Sequence, residues 1–122
     1  QGRSLDDARG ILSKQTWSDP LTYALLIELK GLDAAAIKSS GYVVDTLQAA
    51  IWAVQTTKSF EAAVLKAVNL GDDADTVGAV TGQIAGAMYG YSKVPKALKS
   101  GLVDERKLYV TSQLLCTPRV NA

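Results

Sequence analysis

Three of the twelve acidic residues in this 122-residue chain fall within four positions, at Asp72, Asp73 and Asp75. Carboxylates crowded this closely repel one another unless a cation offsets their charge. Thr76 follows directly and adds a hydroxyl, so the segment offers the hard oxygen ligands that Mg²⁺ prefers. The spacing therefore predicts a metal site made of Asp73, Asp75 and Thr76, while Asp72 is expected to face solvent.

The two candidate carboxylates can meet only in a particular backbone conformation. Residues two apart lie about 200° from each other on a helix but share one side of an extended segment. We therefore expect Asp73 and Asp75 to converge in a loop, with Asp75 near the start of the following helix. The alternative is a simple helix cap, because Asp is common at helix starts, and the motif alone leaves both interpretations open.

The composition excludes several other kinds of site. The chain has no histidine, which removes His-based catalytic triads and His-ligated metal sites, and its single cysteine, Cys116, cannot form an intrachain disulfide. A net charge of +1 lacks the basic excess of a nucleic-acid-binding surface. The uncharged stretch 76–92 is shorter than the ~20 residues that span a bilayer. We expect a cytoplasmic protein with neither nucleic-acid nor membrane partners.

Helical spacing of apolar residues predicts an all-α fold, a compact multi-helix bundle forming one segment over residues 1–122. No stretch alternates apolar and polar residues for long enough to indicate a strand. The predicted helices are an amphipathic stretch from Leu5 to Trp17, helices at Asp19–Gly31, Val44–Val54 and Ser59–Leu70, a buried central helix within 76–92, and helices at Lys96–Lys99 and Leu102–Leu115. Ser59 is the predicted N-cap of its helix.

Glycine recurs at every fourth position of the central helix, at Gly78, Gly82, Gly86 and Gly90. Each glycine in a helix interior costs roughly 1 kcal/mol relative to alanine. A step of four turns the helix by about 40°, so the row predicts a slowly winding groove against which another backbone packs closely.

Two longer segments and a short one carry a resemblance to a known family. They are GYVVDTLQAAIWA (Gly41–Ala53), SFEAAVLKAVNLGDDADTVGAVTGQIAGAMYG (Ser59–Gly90) and the pair Val94 and Pro95. Over about fifty residues the chain resembles the ADP-ribosylglycohydrolases. The resemblance implies an all-α fold and a binuclear Mg²⁺ or Mn²⁺ site at which the bond joining ADP-ribose to a side chain is hydrolysed.

The resemblance also implies roles for individual residues. The family's metal ligands map onto Asp73, Asp75 and Thr76 of the GDDADT motif, although the family usually has glycine in place of Asp72. The turn of Ser40, Gly41 and Tyr42, with Val43, is similar to the segment that lines the ADP-ribose pocket. For Tyr42, a place in the hydrophobic core remains equally open.

Family members are longer, and their remaining metal ligands lie in the N-terminal half. The chain therefore resembles the C-terminal half of such an enzyme, and its start at Gln1 fits an excised or processed segment. The expected partners are ADP-ribose or an ADP-ribosylated protein, and the missing N-terminal half, joined covalently or present as a separate chain. That half would supply the catalytic acid or base, so the segment alone is expected to be inactive.

Two other hypotheses remain open. The family resemblance extends to jellyfish lens crystallins, so the chain could be a non-catalytic structural or binding protein; keeping both aspartates and the threonine argues against this. The segment could also be a stable fragment produced during preparation, which would leave the function of its parent unchanged.

Overall fold

A computed structural model describes residues 4–12, 14 and 33–117 of the chain. All regular structure in these ranges is helical, which confirms the predicted all-α class. We number the helices α1 (Leu5–Leu12), α2 (Val43–Gln55), α3 (Phe60–Val68), α4 (Ala74–Tyr89), α5 (Lys96–Ser100) and α6 (Glu105–Cys116), with 3₁₀ turns at Ala34–Ala36 and Tyr91–Lys93. The predicted helix Asp19–Gly31 lies outside the described residues.

The core is built where α4 packs against both α2 and α3. Small side chains dominate the contact: Ala49 and Ala53 of α2, Ala67 of α3 and Val77 of α4 are all completely buried. Small residues at a helix contact allow the helix axes to approach closely. Larger side chains then close the two ends of this contact, with Trp52, Ile37 and Leu70 at one end, and Val54, Phe60, Met88 and Tyr89 at the other.

The helix starts show how capping residues are used in this chain. The backbone N–H of Asp7 donates to the hydroxyl of Ser4 at 3.1 Å, and the N–H of Ser4 donates to the Asp7 carboxylate at 2.8 Å. Ser59 caps α3 as predicted, with its hydroxyl accepting from the N–H of Ala62 at 3.1 Å. Both are ordinary N-terminal caps that satisfy backbone donors left over at a helix start.

Two predicted helix boundaries are wrong. In each case the backbone leaves or enters the helix at a different residue from the one at which the apolar pattern ends or begins. Helix α3 ends at Val68, before Leu70, and the chain then turns through Gly71 at a φ of +77°. Helix α6 begins at Glu105, after the predicted start at Leu102, because Asp104 has a left-handed φ of +57°. Apolar spacing does not encode such turns.

The central helix α4 is buried on one side only. Val77, Thr81 and Ala85 are buried, whereas Ala79, Gln83 and Ala87 on the opposite side are exposed among the described residues. The helix has the predicted central position, and its burial is confined to the side that faces α2 and α3. None of the helices in the described ranges is long and apolar enough to cross a membrane.

The glycine row does not form the predicted groove within the described part of the chain. A Cβ placed on Gly78 would stand 2.7 Å from Cγ1 of Val68, so this glycine is needed for contact with α3. No described atom lies within 4 Å of a Cβ on Gly82, and only the Phe60 ring, at 3.9 Å, lies near one on Gly86. Gly90 is the residue after the helix and has a φ of +84°. The four regularly spaced glycines thus have different structural roles.

This difference gives a stability prediction for matched substitutions. Gly78→Leu should lower the free energy of unfolding by about 1–3 kcal/mol, because the new side chain overpacks against Val68. Gly82→Leu should not lower it, because it gains up to roughly 1 kcal/mol of helix propensity and its new Cβ meets no described atom within 4 Å. Equilibrium urea unfolding of the two variants beside the parent chain measures the difference. Equal losses in both would contradict the packing described for Gly78.

Candidate metal and ligand site

Two segments that are far apart in sequence meet where α2 and α4 begin. We call residues 40–43 the ligand turn and residues 71–73 the acidic loop, and Ser39 directly precedes the turn. The backbone N–H of Asp73 donates to the carbonyl of Ser39 at 3.1 Å. The hydroxyl of Ser39 donates to the carbonyl of Gly71 at 3.0 Å, and Ser39 is only 7% exposed. The two motifs singled out in the sequence are therefore held side by side by direct hydrogen bonds.

The carboxylate of Asp73 lies directly against the ligand turn. A Cβ placed on Gly41 would stand 2.6 Å from Oδ2 of Asp73, so any side chain at position 41 would displace the carboxylate. Asp73 is the N-cap of α4, yet its side chain makes no capping hydrogen bond, unlike those of Ser4 and Ser59. The Asp73 side chain therefore does not act as a helix cap.

Asp73 lies in the loop before α4 and Asp75 lies near the helix start, the arrangement expected from the sequence. Asp75 lies inside the first turn of α4, while Asp73 precedes the helix with φ −83° and ψ 57°. Because Asp73 is outside the helix, the separation expected for two helical residues does not apply. A loop conformation is needed at Asp73 alone.

The neighbours of Asp75 affect the protonation of its carboxyl group. The pKa of Asp75 is lowered, first by hydrogen bonding with the Asp73 side chain and then by the backbone N–H groups of Thr76 and of Asp75 itself. A hydrogen bond between two carboxyl groups requires one proton. Once both groups are ionised they repel each other, and a bound cation relieves that repulsion.

The two other residues of the acidic motif are both exposed to solvent. Asp72 is exposed, as expected, and has a left-handed φ of +53°. The Thr76 side chain is also exposed, one residue after Asp75, whose Oδ1 accepts the Thr76 N–H at 3.0 Å. Across the described ranges, no cluster of three or more His, Cys, Asp or Glu side chains could hold a metal.

A second network fixes the ligand turn to the start of α2. The Ser40 hydroxyl donates to Oδ2 of Asp45 at 2.6 Å and accepts from the N–H of Tyr42 at 3.3 Å. The hydroxyl of Thr46, which is buried, donates to the Ser40 carbonyl at 3.1 Å. Since a serine hydroxyl has one proton, Ser40 can offer a ligand only an acceptor.

The exposed rim of the turn is formed by Tyr42 and Val43, which are 58% and 71% exposed. The core position considered for Tyr42 is therefore wrong. The Tyr42 ring is therefore open to contact from outside the described residues.

The sequence analysis missed the roles of Ser39 and Asp45. Asp45 accepts a hydrogen bond from the hydroxyl of Ser40. A hydroxyl residue shortly before an acidic first helical turn is the signal that could have indicated this pairing. The partners of Ser39 lie across the fold, and its hydroxyl and Gly71 are 32 positions apart, so no local pattern reveals them.

Comparison with known proteins identifies the family. A family model described as ADP-ribosylglycohydrolase matches residues 2–119, nearly the whole chain. The chain belongs to the ADP-ribosylglycohydrolase family. The match extends well beyond the fifty or so residues on which the resemblance in the sequence rests.

Individual family members named for ADP-ribose removal match part of this ADP-ribosylglycohydrolase chain. It is 60% identical over 72 residues to "ADP-ribosylarginine hydrolase Tri1" of Serratia proteamaculans (strain 568), covering 59% of this chain and 20% of that protein. It is 42% identical over 65 residues to "ADP-ribosyl-[dinitrogen reductase] glycohydrolase" of Rhodospirillum rubrum, covering 53% of this chain and 22% of that protein. The matched region spans about a fifth of the length of these relatives.

The contact between Asp73 and Asp75 predicts the sign of a pKa change. In the folded chain, the Asp75 carboxyl should titrate below its ordinary value, so its contribution to stability is present above that value and is lost as the pH falls through the lowered pKa. Asp73→Ala should raise the pKa of Asp75, because the hydrogen bond is lost. Carbon NMR titration of the Asp75 carboxyl measures this.

Asp72→Asn is the matched control, because asparagine also tolerates the left-handed φ at this position, and it should leave the Asp75 titration nearly unchanged. Simple repulsion between Asp73 and Asp75 would predict the opposite sign, since removing a negative neighbour lowers a carboxyl pKa. A downward shift of the Asp75 pKa in Asp73→Ala would therefore contradict the hydrogen-bonded contact.

Proposed function

We propose that this chain forms part of the metal-binding and ligand-binding site of a hydrolase that removes ADP-ribose from ADP-ribosylated proteins. One observation carries the proposal. The Asp73 carboxylate stands at a helix start without capping it, and lies instead between Gly41 of the ligand turn and Asp75. Two carboxyl groups held in this way can bind a divalent cation through their oxygen atoms.

The oxygen atoms of Asp73, Asp75 and Thr76 fit Mg²⁺ or Mn²⁺ in their chemistry. Two carboxylates and a hydroxyl are hard ligands, and the absence of a Cβ at Gly41 leaves the space in which the Asp73 carboxylate is seated. Mg²⁺ takes about six oxygen ligands, so three protein groups are too few for a binuclear site. The proposal therefore includes further ligands from outside the described residues, in the N-terminal part of a complete enzyme.

In the reaction, water adds across the glycosidic bond at C1 of the ribose, and the side-chain nitrogen or oxygen leaves with a proton. Metal ions held by these residues would bind the ribose hydroxyls and would activate or position the water. Asp73 and Asp75 contribute negative charge to that centre. The catalytic acid or base belongs, in this proposal, to the N-terminal part.

The ligand turn would hold the ADP-ribose beside the carboxylates. Ser40 accepts a hydrogen bond from the ligand, Gly41 keeps the backbone accessible, and Tyr42 and Val43 present exposed apolar surface. The bond between Ser40 and Asp45 keeps the serine oriented during binding. The two networks thus place recognition of the ligand next to the acidic loop.

The substrate class follows from the relatives, two of which are named as hydrolases of ADP-ribosylarginine. We extend this class to the complete form of the present protein, with ADP-ribosylated arginine as the first substrate to test. The cytoplasmic location expected from the sequence is part of the same proposal.

Neutral substitutions of the two carboxylates test the proposed function. In the complete enzyme, Asp73→Asn and Asp75→Asn should each lower ADP-ribose release at limiting Mg²⁺ by about 100-fold or more, because losing a ligand costs at least as much as losing an outer contact. The melting temperature of Asp73→Asn without added metal should change little, since the Asp73 side chain makes no capping bond. Release of ADP-ribose from an ADP-ribosylated arginine peptide measures the activity.

Asp72→Asn is the control, because it changes an exposed neighbouring carboxylate and should leave turnover near that of the unmodified enzyme. Unchanged turnover in both Asp73→Asn and Asp75→Asn would contradict the proposal. That result would favour a non-catalytic, crystallin-like role for the carboxylates.

A further inference from the structure

Ser39 makes two hydrogen bonds that tie the ligand turn to the acidic loop. Its side-chain hydroxyl donates to the carbonyl of Gly71 at 3.0 Å, and its own carbonyl accepts the N–H of Asp73 at 3.1 Å. These contacts lie at the first and last residues of the acidic loop. With 7% of its surface exposed, Ser39 is largely shielded from water, which would otherwise compete for both bonds.

The backbone of the acidic loop needs such support. Gly71 and Asp72 have consecutive left-handed φ values of +77° and +53°, and the second of these belongs to a residue with a side chain. Non-glycine residues in this region carry strain and persist where the surrounding structure holds them in place. The bonds from Ser39 fall on both sides of Asp72, which is where the backbone must be held.

The position of the Asp73 carboxylate depends on this same backbone. Gly41 lies two residues after Ser39, and Oδ2 of Asp73 occupies the space that a Cβ on Gly41 would fill. A small displacement of the acidic loop would move the carboxylate away from both Gly41 and Asp75. The bond to Gly71 therefore acts on the carboxylate through the backbone, without touching a ligand atom.

We propose that Ser39 is a positioning residue for metal binding: its hydroxyl fixes the acidic loop so that the Asp73 and Asp75 carboxylates face one cation together. This inference rests on the proposed function, which supplies the cation. It assigns Ser39 a role distinct from that of Ser40, whose hydroxyl is directed to Asp45 and the ligand turn.

Metal affinity of the complete enzyme tests the role of Ser39. Ser39→Ala keeps the backbone carbonyl and removes the hydroxyl, so the dissociation constant for Mn²⁺, measured by electron paramagnetic resonance, should rise by about 10- to 100-fold. Activity at saturating Mn²⁺ should largely recover, because the ligands themselves remain. Ser39→Thr, which retains a hydroxyl, should restore most of the affinity.

Thr57→Val is the matched control for a purely structural effect. It removes a hydroxyl-to-carbonyl bond of the same kind, from Thr57 to Ala53 at 2.7 Å, at the opposite end of α2. This variant should lower the melting temperature without changing Mn²⁺ affinity. If Ser39→Ala behaves in the same way, with unchanged affinity, the positioning role is overturned.

Two further variants keep the outcomes distinct. If Ser39→Ala does not fold, Ser39→Cys decides by the same measurement, since it fills a similar volume with a weak donor and should also weaken Mn²⁺ binding. Asp73→Asn separates the two proposals. Loss of Mn²⁺ affinity in Asp73→Asn but not in the Ser39 variants overturns the positioning role alone, whereas unchanged affinity in Asp73→Asn overturns the metal site itself.

Discussion

The Asp73 carboxylate can stand beside Asp75 only because Gly41 has no side chain, and the candidate site depends on that close contact. The contact joins two segments that carry different parts of the proposed chemistry. One holds the oxygen ligands for a metal, and the other presents Ser40 and Tyr42 to an ADP-ribose ligand. Because the Ser39 carbonyl accepts the Asp73 N–H, the two segments are placed as one unit.

The helices beneath the site give this contact its rigidity. The ligand turn leads into α2 and the acidic loop leads into α4, and these two helices pack directly against each other. The contact is made by completely buried small residues, including Ala49 and Val77. Close-packed interiors resist displacement, so the distance between the two helix starts is fixed by the core.

Much of this arrangement follows from local sequence. Helix α2, the Ser59 cap and the pairing of Asp73 with Asp75 are predictable because spacing and capping chemistry act over a few residues. The late start of α6 depends on the left-handed backbone of Asp104, and the different roles of Gly78 and Gly82 depend on where α3 lies. Ser39 is recognised only when Gly71 and Asp73 are beside it, so tertiary contacts decide its role.

The central claim is that Asp73, Asp75 and Thr76 ligate a divalent cation together. A crystal structure of the complete enzyme grown with Mn²⁺, with the metal located by its anomalous scattering, tests this most directly. The account predicts a peak within coordination distance, about 2.0–2.5 Å, of oxygen atoms from all three residues. An active enzyme whose Mn²⁺ peaks all lie away from Asp73 and Asp75 would contradict it.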